Sequence, residues 1–294
     1  MEILSLRHVG KKYDGTLILD DINFKMSKGE IVGLVGENGV GKTTLMKIIL
    51  GLTSKDSGEI FFNGHTDYSF DGKIMETIGY LLDFNLYDYM TGYENLYIFD
   101  KYFAIPRKSN IELSTKIKHL LSFVGLKNDN KKVRSYSFGM KQRLGLALSL
   151  LRDPKLLILD EPFVGLDPIG VDRLIEFIKK ISLEQKVAIL ISSHQLSEIE
   201  ILSKRILHLS KTKLVEHKYE QETKIIKIKV NHLDKNLKQL ISEFISMIKD
   251  HWLYITNMDD FNKVLKMLFD YHIQISDIHI EYKNIKNLFK HSED

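Results

Sequence analysis

Four short stretches carry residue types whose combination does phosphate chemistry. Gly36 to Thr44 reads GENGVGKTT and fits the G-x-x-x-x-G-K-[ST] pattern of a phosphate-binding loop. Gly36, Gly39 and Gly41 let the backbone curl so that successive N–H groups point at one anion, with Asn38 on the same curl. A following helix adds its positive end. Lys42 is expected to reach the terminal phosphates as a cation, Thr43 to place its hydroxyl on Mg²⁺ and Thr44 to bond the α-phosphate. Leu156 to Glu161, LLILDE, ends an apolar run in two acids. Asp160 is expected beside the Mg²⁺, and Glu161 near the γ-phosphate, where a carboxylate orients or deprotonates the attacking water. His194 closes the run Ala188 to Ser193 and is placed to hydrogen-bond the γ-phosphate. The fourth stretch, Ser135 to Arg143, reads SYSFGMKQR. Ser137 is a good helix N-cap and Gly139 leaves the backbone approachable, so this segment offers a second, distant contact for an anion.

These residues need elements to hold them. Glu30 to Val35, Ile78 to Leu82, Leu156 to Leu159 and Val187 to Ser192 read as short buried strands. Helical spacing follows several of them, as at Leu174, Phe177, Ile178 and Ile181. Alternation of this kind predicts an α/β fold with a parallel sheet covered on both faces. In such sheets ligands gather at the carboxyl ends of the strands, where the acids and the glycine loop fall. Glu2 to Arg7 and Leu17 to Met26 predict an antiparallel flank. A helical insert is expected over about residues 91–150; its first part, Thr91 to Arg134, puts Ile117, Leu120, Leu121 and Val124 on one face. The first domain is expected over 1–215 and a polar linker over 216–223. A small α+β accessory domain then fills 224–294: a strand through Ile226, Ile228 and Val230, a helix from Leu237 to Ile248, a strand from His251 to Ile255, a helix around Phe261 to Phe269, a strand from Ile273 to Tyr282, and a short closing helix.

The totals set bounds. Lys plus Arg is 42 against 39 Asp plus Glu, a formal net charge of +3, which gives no support for a nucleic-acid partner. The chain has no cysteine, so disulfides and thiolate metal sites are excluded. No apolar run approaches the roughly 18 residues of a membrane span. MEILSLRHVGKKY lacks a signal-peptide core. The chain is expected to be soluble by itself, with any membrane part supplied by another subunit.

Taken in order, the motifs resemble those of the ATP-binding subunits of ABC transporters, over about residues 1–215. GENGVGKT is similar to the Walker A motif, YSFGM (Tyr136 to Met140) to the LSGGQ signature, and LLILDEP to Walker B with Glu161 as the catalytic glutamate. GLDP, with Asp167 implied to contact a partner subunit, is similar to the D-loop, and SSH to the switch-histidine loop. Tyr13, which on local grounds is an ordinary strand-end tyrosine, fits the aromatic that stacks on adenine. The signature's first glycine is here Phe138 and its glutamine Met140, and Asp83 stands nearest the position where the family carries a metal-side glutamine. The resemblance implies ATP and Mg²⁺ as cofactors, and a head-to-tail pair of cassettes, homodimeric or heterodimeric, each lending Ser137 and Gly139 to the other's ATP. It further implies a membrane-embedded permease and a place at the cytoplasmic face of the membrane. YSFGMKQRLG, MTGYENL and the C-terminal extension resemble exporters of bacteriocins, antimicrobial peptides, drugs or sodium, with a coupling helix docking around Asp83 to Tyr97. A soluble ABC-type ATPase acting on ribosomes or DNA is the alternative. A GTPase would carry an N-K-x-D motif, which is absent, and a small-molecule kinase would not need SYSFGM or an acid directly after Asp160.

Overall fold

The computed structural model describes residues 1–66, 68–82, 86–102, 110–194, 196–218, 224–233 and 235–282. Asp83 and the expected closing helix lie outside them. By internal contacts the chain forms two compact units, Met1–Lys218 and Tyr219–Asp294.

The short apolar runs of the first unit do form a sheet. β3 (Ile31–Val35), β5 (Ile78–Leu81), β6 (Leu156–Asp160), β7 (Ala188–Ser192) and β8 (Arg205–Ser210) are parallel, and β9 (Lys213–Lys218) adds an antiparallel edge. Their order is β5-β6-β7-β3-β8-β9. β6 and β7 read as unbroken apolar runs because both of their faces are covered; every side chain from Leu156 to Leu159 and from Ala188 to Ile191 is fully buried. Parallel neighbours require crossovers, supplied by helices. α1 (Lys42–Ile49) follows β3, α6 (Pro168–Glu184) joins β6 to β7, and α7 (Leu196–Leu202) joins β7 to β8. α6 buries Leu174, Ile178 and Ile181 as its spacing predicts, while Phe177 meets Phe123, ring centroids 4.1 Å apart.

The flank is longer than expected. β1 (Glu2–Tyr13) and β2 (Thr16–Ser27) form one hairpin, and β4 (Ser57–Phe62) pairs with the other side of β1. β1 continues past Arg7 through register shifts, where His8 takes a φ of 53°. Such bulges hide a strand from a strict two-residue alternation. A short α2 (Gly72–Met75) precedes β5.

The helical insert comprises α3 (Gly92–Tyr102), α4 (Asn110–Phe123) and α5 (Phe138–Ser149). α3 opens on a reciprocal capping box: Thr91 N donates to Glu94 Oε2 at 2.6 Å and Glu94 N to Thr91 Oγ1 at 3.1 Å.

The second unit runs β10 (Lys224–Val230), α8 (Lys235–Ile241), β11 (Met247–Lys249), β12 (Trp252–Ile255), α9 (Met258–Asp270), β13 (Ile275–Tyr282). The antiparallel order β11-β12-β10-β13 is a split βαβ arrangement. Ile226, Ile228, Val230, Leu237, Ile241, Leu253, Ile255, Val264 and Leu268 form its core. The helix expected to reach Ile248 stops at Ile241, and Ile248 instead pairs with Leu253 across a hairpin. The turn Asp250-His251, with φ of 51° and 67°, closes that hairpin tightly. Side-chain burial between strands outweighs the helical spacing.

Candidate nucleotide site

Three neighbouring parallel strands, β6, β7 and β3, deliver their carboxyl ends to one edge, and the residues singled out for chemistry hang from those ends. β3 runs into the glycine loop. A Cβ on Gly36 would lie 2.4 Å from the carbonyl oxygen of Leu209 on β8, so only glycine permits this close backbone approach. Gly41 is the N-cap of α1 and brings no side chain to it. Lys42 is almost wholly buried, its Nζ donating to the carbonyls of Gly36 (2.8 Å) and Glu37 (3.0 Å). The ammonium is thus held inside the curl. Asn38 and Gly39 are exposed at the crest and Thr44 is half-buried in the first turn of α1.

The acids are tied to this loop. Thr43 Oγ1 donates to Asp160 Oδ2 at 2.6 Å. Asp160 pairs in register with Ser192 on β7, and Ser192 Oγ donates to Asp160 Oδ1. The same Ser192 oxygen accepts from the backbone N of Glu161 at 3.0 Å. Glu161 adopts φ 49°, left-handed backbone that a non-glycine residue seldom takes. Its Oε2 lies 2.7 Å from His194 Nδ1 and accepts a longer bond from His194 N, 3.3 Å. Gln142 Nε2, from α5, donates to Glu161 O at 3.2 Å. Lys42 and Thr43, from one loop, are therefore joined through Asp160 and Ser192 to Glu161 and His194.

Ser137, Gly139 and Asp167 form a second group. Ser137 caps α5, its Oγ accepting from Met140 N at 3.3 Å. Asp167 caps α6, accepting from Gly170 N at 3.0 Å, with Pro168 in the first turn. Gly139 lies against Gly165, beside Asp167, so closely that a Cβ on it would meet Gly165 O at 2.2 Å. Phe138, in the signature-like segment, is 64% exposed. Among the described residues no hydrogen bond joins Ser137, Gly139 or Asp167 to the glycine loop. Tyr13 stands at the tip of the β1–β2 hairpin, 44% exposed, with Lys11 Nζ 5.0 Å from its ring centre. Ser192 and Gln142 were not singled out from sequence. Ser192 lay within the SSH motif, but only the β6–β7 register shows what it touches.

The ABC transporter family profile matches residues 19–164. The bacitracin transport ATP-binding protein BcrA of Bacillus licheniformis is 34% identical over 291 residues, covering 98% of this chain and 85% of its own length. The chain belongs to the ABC transporter family. This ABC ATPase is 41% identical over 222 residues to BcrA of Enterococcus faecalis (73% of this chain, 68% of that one). It is 39% identical over 215 residues to the lantibiotic transport ATP-binding protein SrtF of Streptococcus pyogenes (72% and 89%). Its fold is that of a dimeric ATP-binding cassette solved with ADP and phosphate, TM-score 0.68 at 23% identity, covering 74% of this chain and 99% of that one. The α/β fold read from sequence is the one observed. The relatives are transport ATP-binding proteins, which does not favour the ribosome or nucleic-acid alternative.

Proposed function

We propose that this ATPase drives a membrane exporter of antimicrobial peptides or drugs. Its first unit acts as the ATP-binding cassette and its second as an accessory domain. The observation that carries the reading is the grouping of site residues into two sets. One set, Lys42, Thr43, Asp160, Glu161 and His194, has the makings of a complete phosphate and water-activating site. The other, Ser137, Gly139 and Asp167, is assembled around its own turn and is the part that a second cassette would use. Two copies, or this chain and a related one, close head to tail over two ATP molecules.

In this reading the loop amides of Gly36, Asn38, Gly39 and Gly41 cradle phosphate, Lys42 leaves its carbonyls for the β- and γ-phosphates, Thr44 bonds the α-phosphate and Tyr13 stacks on adenine. Thr43 and Asp160 offer only oxygen, the donor type that suits Mg²⁺, and their contact at 2.6 Å puts both on one spot. Asp83 is proposed as a further acid on that side. Bound Mg²⁺ would neutralise charge developing on the phosphate oxygens. Glu161 holds the attacking water, and His194 orients the Glu161 carboxylate.

No helix among the described residues is long and apolar enough to cross a membrane. The exporter reading therefore needs a membrane subunit, which would hold the ATPase at the cytoplasmic face. Two neighbouring features, where β5 meets the helical insert and on the insert itself, suit docking of that subunit. One is a cavity of about 400 Å³ lined by Tyr80, Leu82, Tyr87, Phe99, Leu148 and Arg152. The other is the platform of Tyr89, Tyr93 and Tyr97. Aromatic surfaces of this kind are enriched at interfaces.

The test is Glu161→Gln with ATP and Mg²⁺. Hydrolysis is expected to fall by at least about 10²-fold, in line with loss of a general base, and the variant should elute as a nucleotide-stabilised dimer. Binding of ATP without dimerisation, either alone or with the membrane subunit and a related second cassette co-expressed, would refute reciprocal closure.

A further inference from the structure

We propose that Ser192 is a positioning residue for hydrolysis, one hydroxyl that sets the metal-side acid and the water-activating acid relative to each other. The inference rests on the roles proposed above for Asp160 and Glu161. Ser192 is completely buried at the end of β7. A hydroxyl has one proton to give and lone pairs to accept with, and both capacities are used. The proton goes to Asp160 Oδ1, and the oxygen accepts the backbone N–H of Glu161 at 3.0 Å. Asp160 therefore has one oxygen on Thr43 and the other on Ser192. Glu161 is held at three points: its N by Ser192, its O by Gln142 and its carboxylate by His194.

The geometry explains why a hydroxyl is needed here. β6 ends at Asp160, and Glu161 turns off the sheet into left-handed backbone at φ 49°. That turn takes the Glu161 N–H out of the strand ladder, and a buried N–H without a partner is unfavourable. The bond to Ser192 satisfies it and makes the turn the preferred conformation. The same turn directs the Glu161 side chain back to His194, two residues beyond Ser192 in the turn that follows β7. The last residue of β7 and the turn after it thus hold the base twice, by backbone through Ser192 and by carboxylate through His194. Alanine at 192 removes a donor and an acceptor at once, while the glycine loop and Lys42 keep all their contacts.

Phosphate release and nucleotide binding by the full chain test this, with Ser192→Ala and Ser192→Thr compared against wild type and Glu161→Gln. S192A should lower kcat about tenfold or more at saturating ATP and Mg²⁺ with KM changed less than about threefold, the split expected when only the chemical step loses geometry. Binding of a fluorescent ATP analogue in EDTA should match wild type, showing that the cassette is folded. The tightening of that binding on adding Mg²⁺ should be smaller than in wild type, because Asp160 loses one of its two anchors and keeps only Thr43. S192T, which restores the hydroxyl on a strand that suits β-branched residues, should recover kcat. S192A combined with E161Q should be no slower than E161Q alone. Ser192 acts otherwise if S192A hydrolyses at the wild-type rate with the wild-type Mg²⁺ response, or if its defect multiplies with that of E161Q. Should S192A fail the EDTA binding check, S192C, of closer volume, takes its place with the same criteria. If E161Q itself hydrolyses normally, it is the base assignment that falls, whatever S192A does.

Discussion

Replacing Gly139 by alanine tests the second group of site residues without touching the glycine loop, although α5 also reaches Glu161 O through Gln142. An alanine Cβ would sit 2.2 Å from Gly165 O and 3.2 Å from its carbonyl carbon, both backbone atoms that cannot swing aside. Carbon and carbonyl oxygen settle no closer than about 3.3 Å, so the start of α5 must move away from the Gly165 turn by about 1 Å. Overpacking of this kind costs about 1–3 kcal/mol. For a unit the size of Met1–Lys218, each kcal/mol lowers the melting temperature by about 2–4 °C, giving a fall of about 2–12 °C. The larger effect should be on turnover, because Ser137 caps the same helix end. A misplacement of about 1 Å in a positioning group costs about 10² in rate. Phosphate release at saturating ATP measures the turnover, calorimetry the stability, and a fluorescent ATP analogue in EDTA the binding, which should be unchanged. A G139A protein with wild-type turnover and melting temperature would show that α5 does not need this contact. Loss of analogue binding would show that the displacement reaches the glycine loop, contrary to the separation of the two groups.

Two further outcomes follow from groups to which no contact with nucleotide is assigned. Arg152 bridges Glu76 (2.7 Å) and Asp100 (3.2 Å), all three side chains at most 11% exposed. Arg152→Met leaves two buried carboxylates without that guanidinium, a loss of about 3–5 kcal/mol, seen as a melting temperature lower by about 6–20 °C. Adding Glu76→Gln and Asp100→Asn should restore most of it, and a small effect of R152M alone would contradict the bridging role. Burial holds the His208 imidazole below its usual range, the nearby His217 adding to this and Glu37 opposing it. The folded chain then binds fewer protons than the unfolded chain between that depressed value and about 6.5. Stability therefore rises with pH across that window, and melting temperatures should fall from about pH 7 to about pH 5.5, less steeply in His208→Asn; an equal slope in both proteins would refute the assignment.

Much of the site was legible because its chemistry is written in consecutive residues. GENGVGKTT and LLILDE each occupy the end of a strand whose apolar run fixes where it stops, and a parallel sheet sends all such ends the same way. What the sequence hides falls into two kinds. Some elements carry no clean period: β1 reads as ending at Arg7 because its bulges break the alternation before Tyr13, and β8 was not singled out although Ile206, Leu207 and Leu209 are buried in it. The helix expected to run on to Ile248 failed for the opposite reason. Ile245 and Ile248 satisfy helical spacing, yet a two-residue turn at Asp250 and His251 lets Met247–Lys249 pair with Trp252–Ile255 and bury Leu253.

The second kind is register, and it decides the site. Sequence places Asp160 at the end of one strand and Ser192 at the end of another, 32 residues apart. Nothing in either run says that these two positions face each other. A shift of one residue along β7 would put Ile191 or Ser193 opposite Asp160 and turn the intervening side chains to the other face. The register is set by burial far from the chemistry, since Leu157 with Ile189 and Leu159 with Ile191 pair along the same two strands with no exposed surface. The contacts that orient Asp160 and Glu161 are thus consequences of core packing. It follows that the fully buried strand interiors, which touch no phosphate, help set the geometry of Asp160, Ser192 and Glu161.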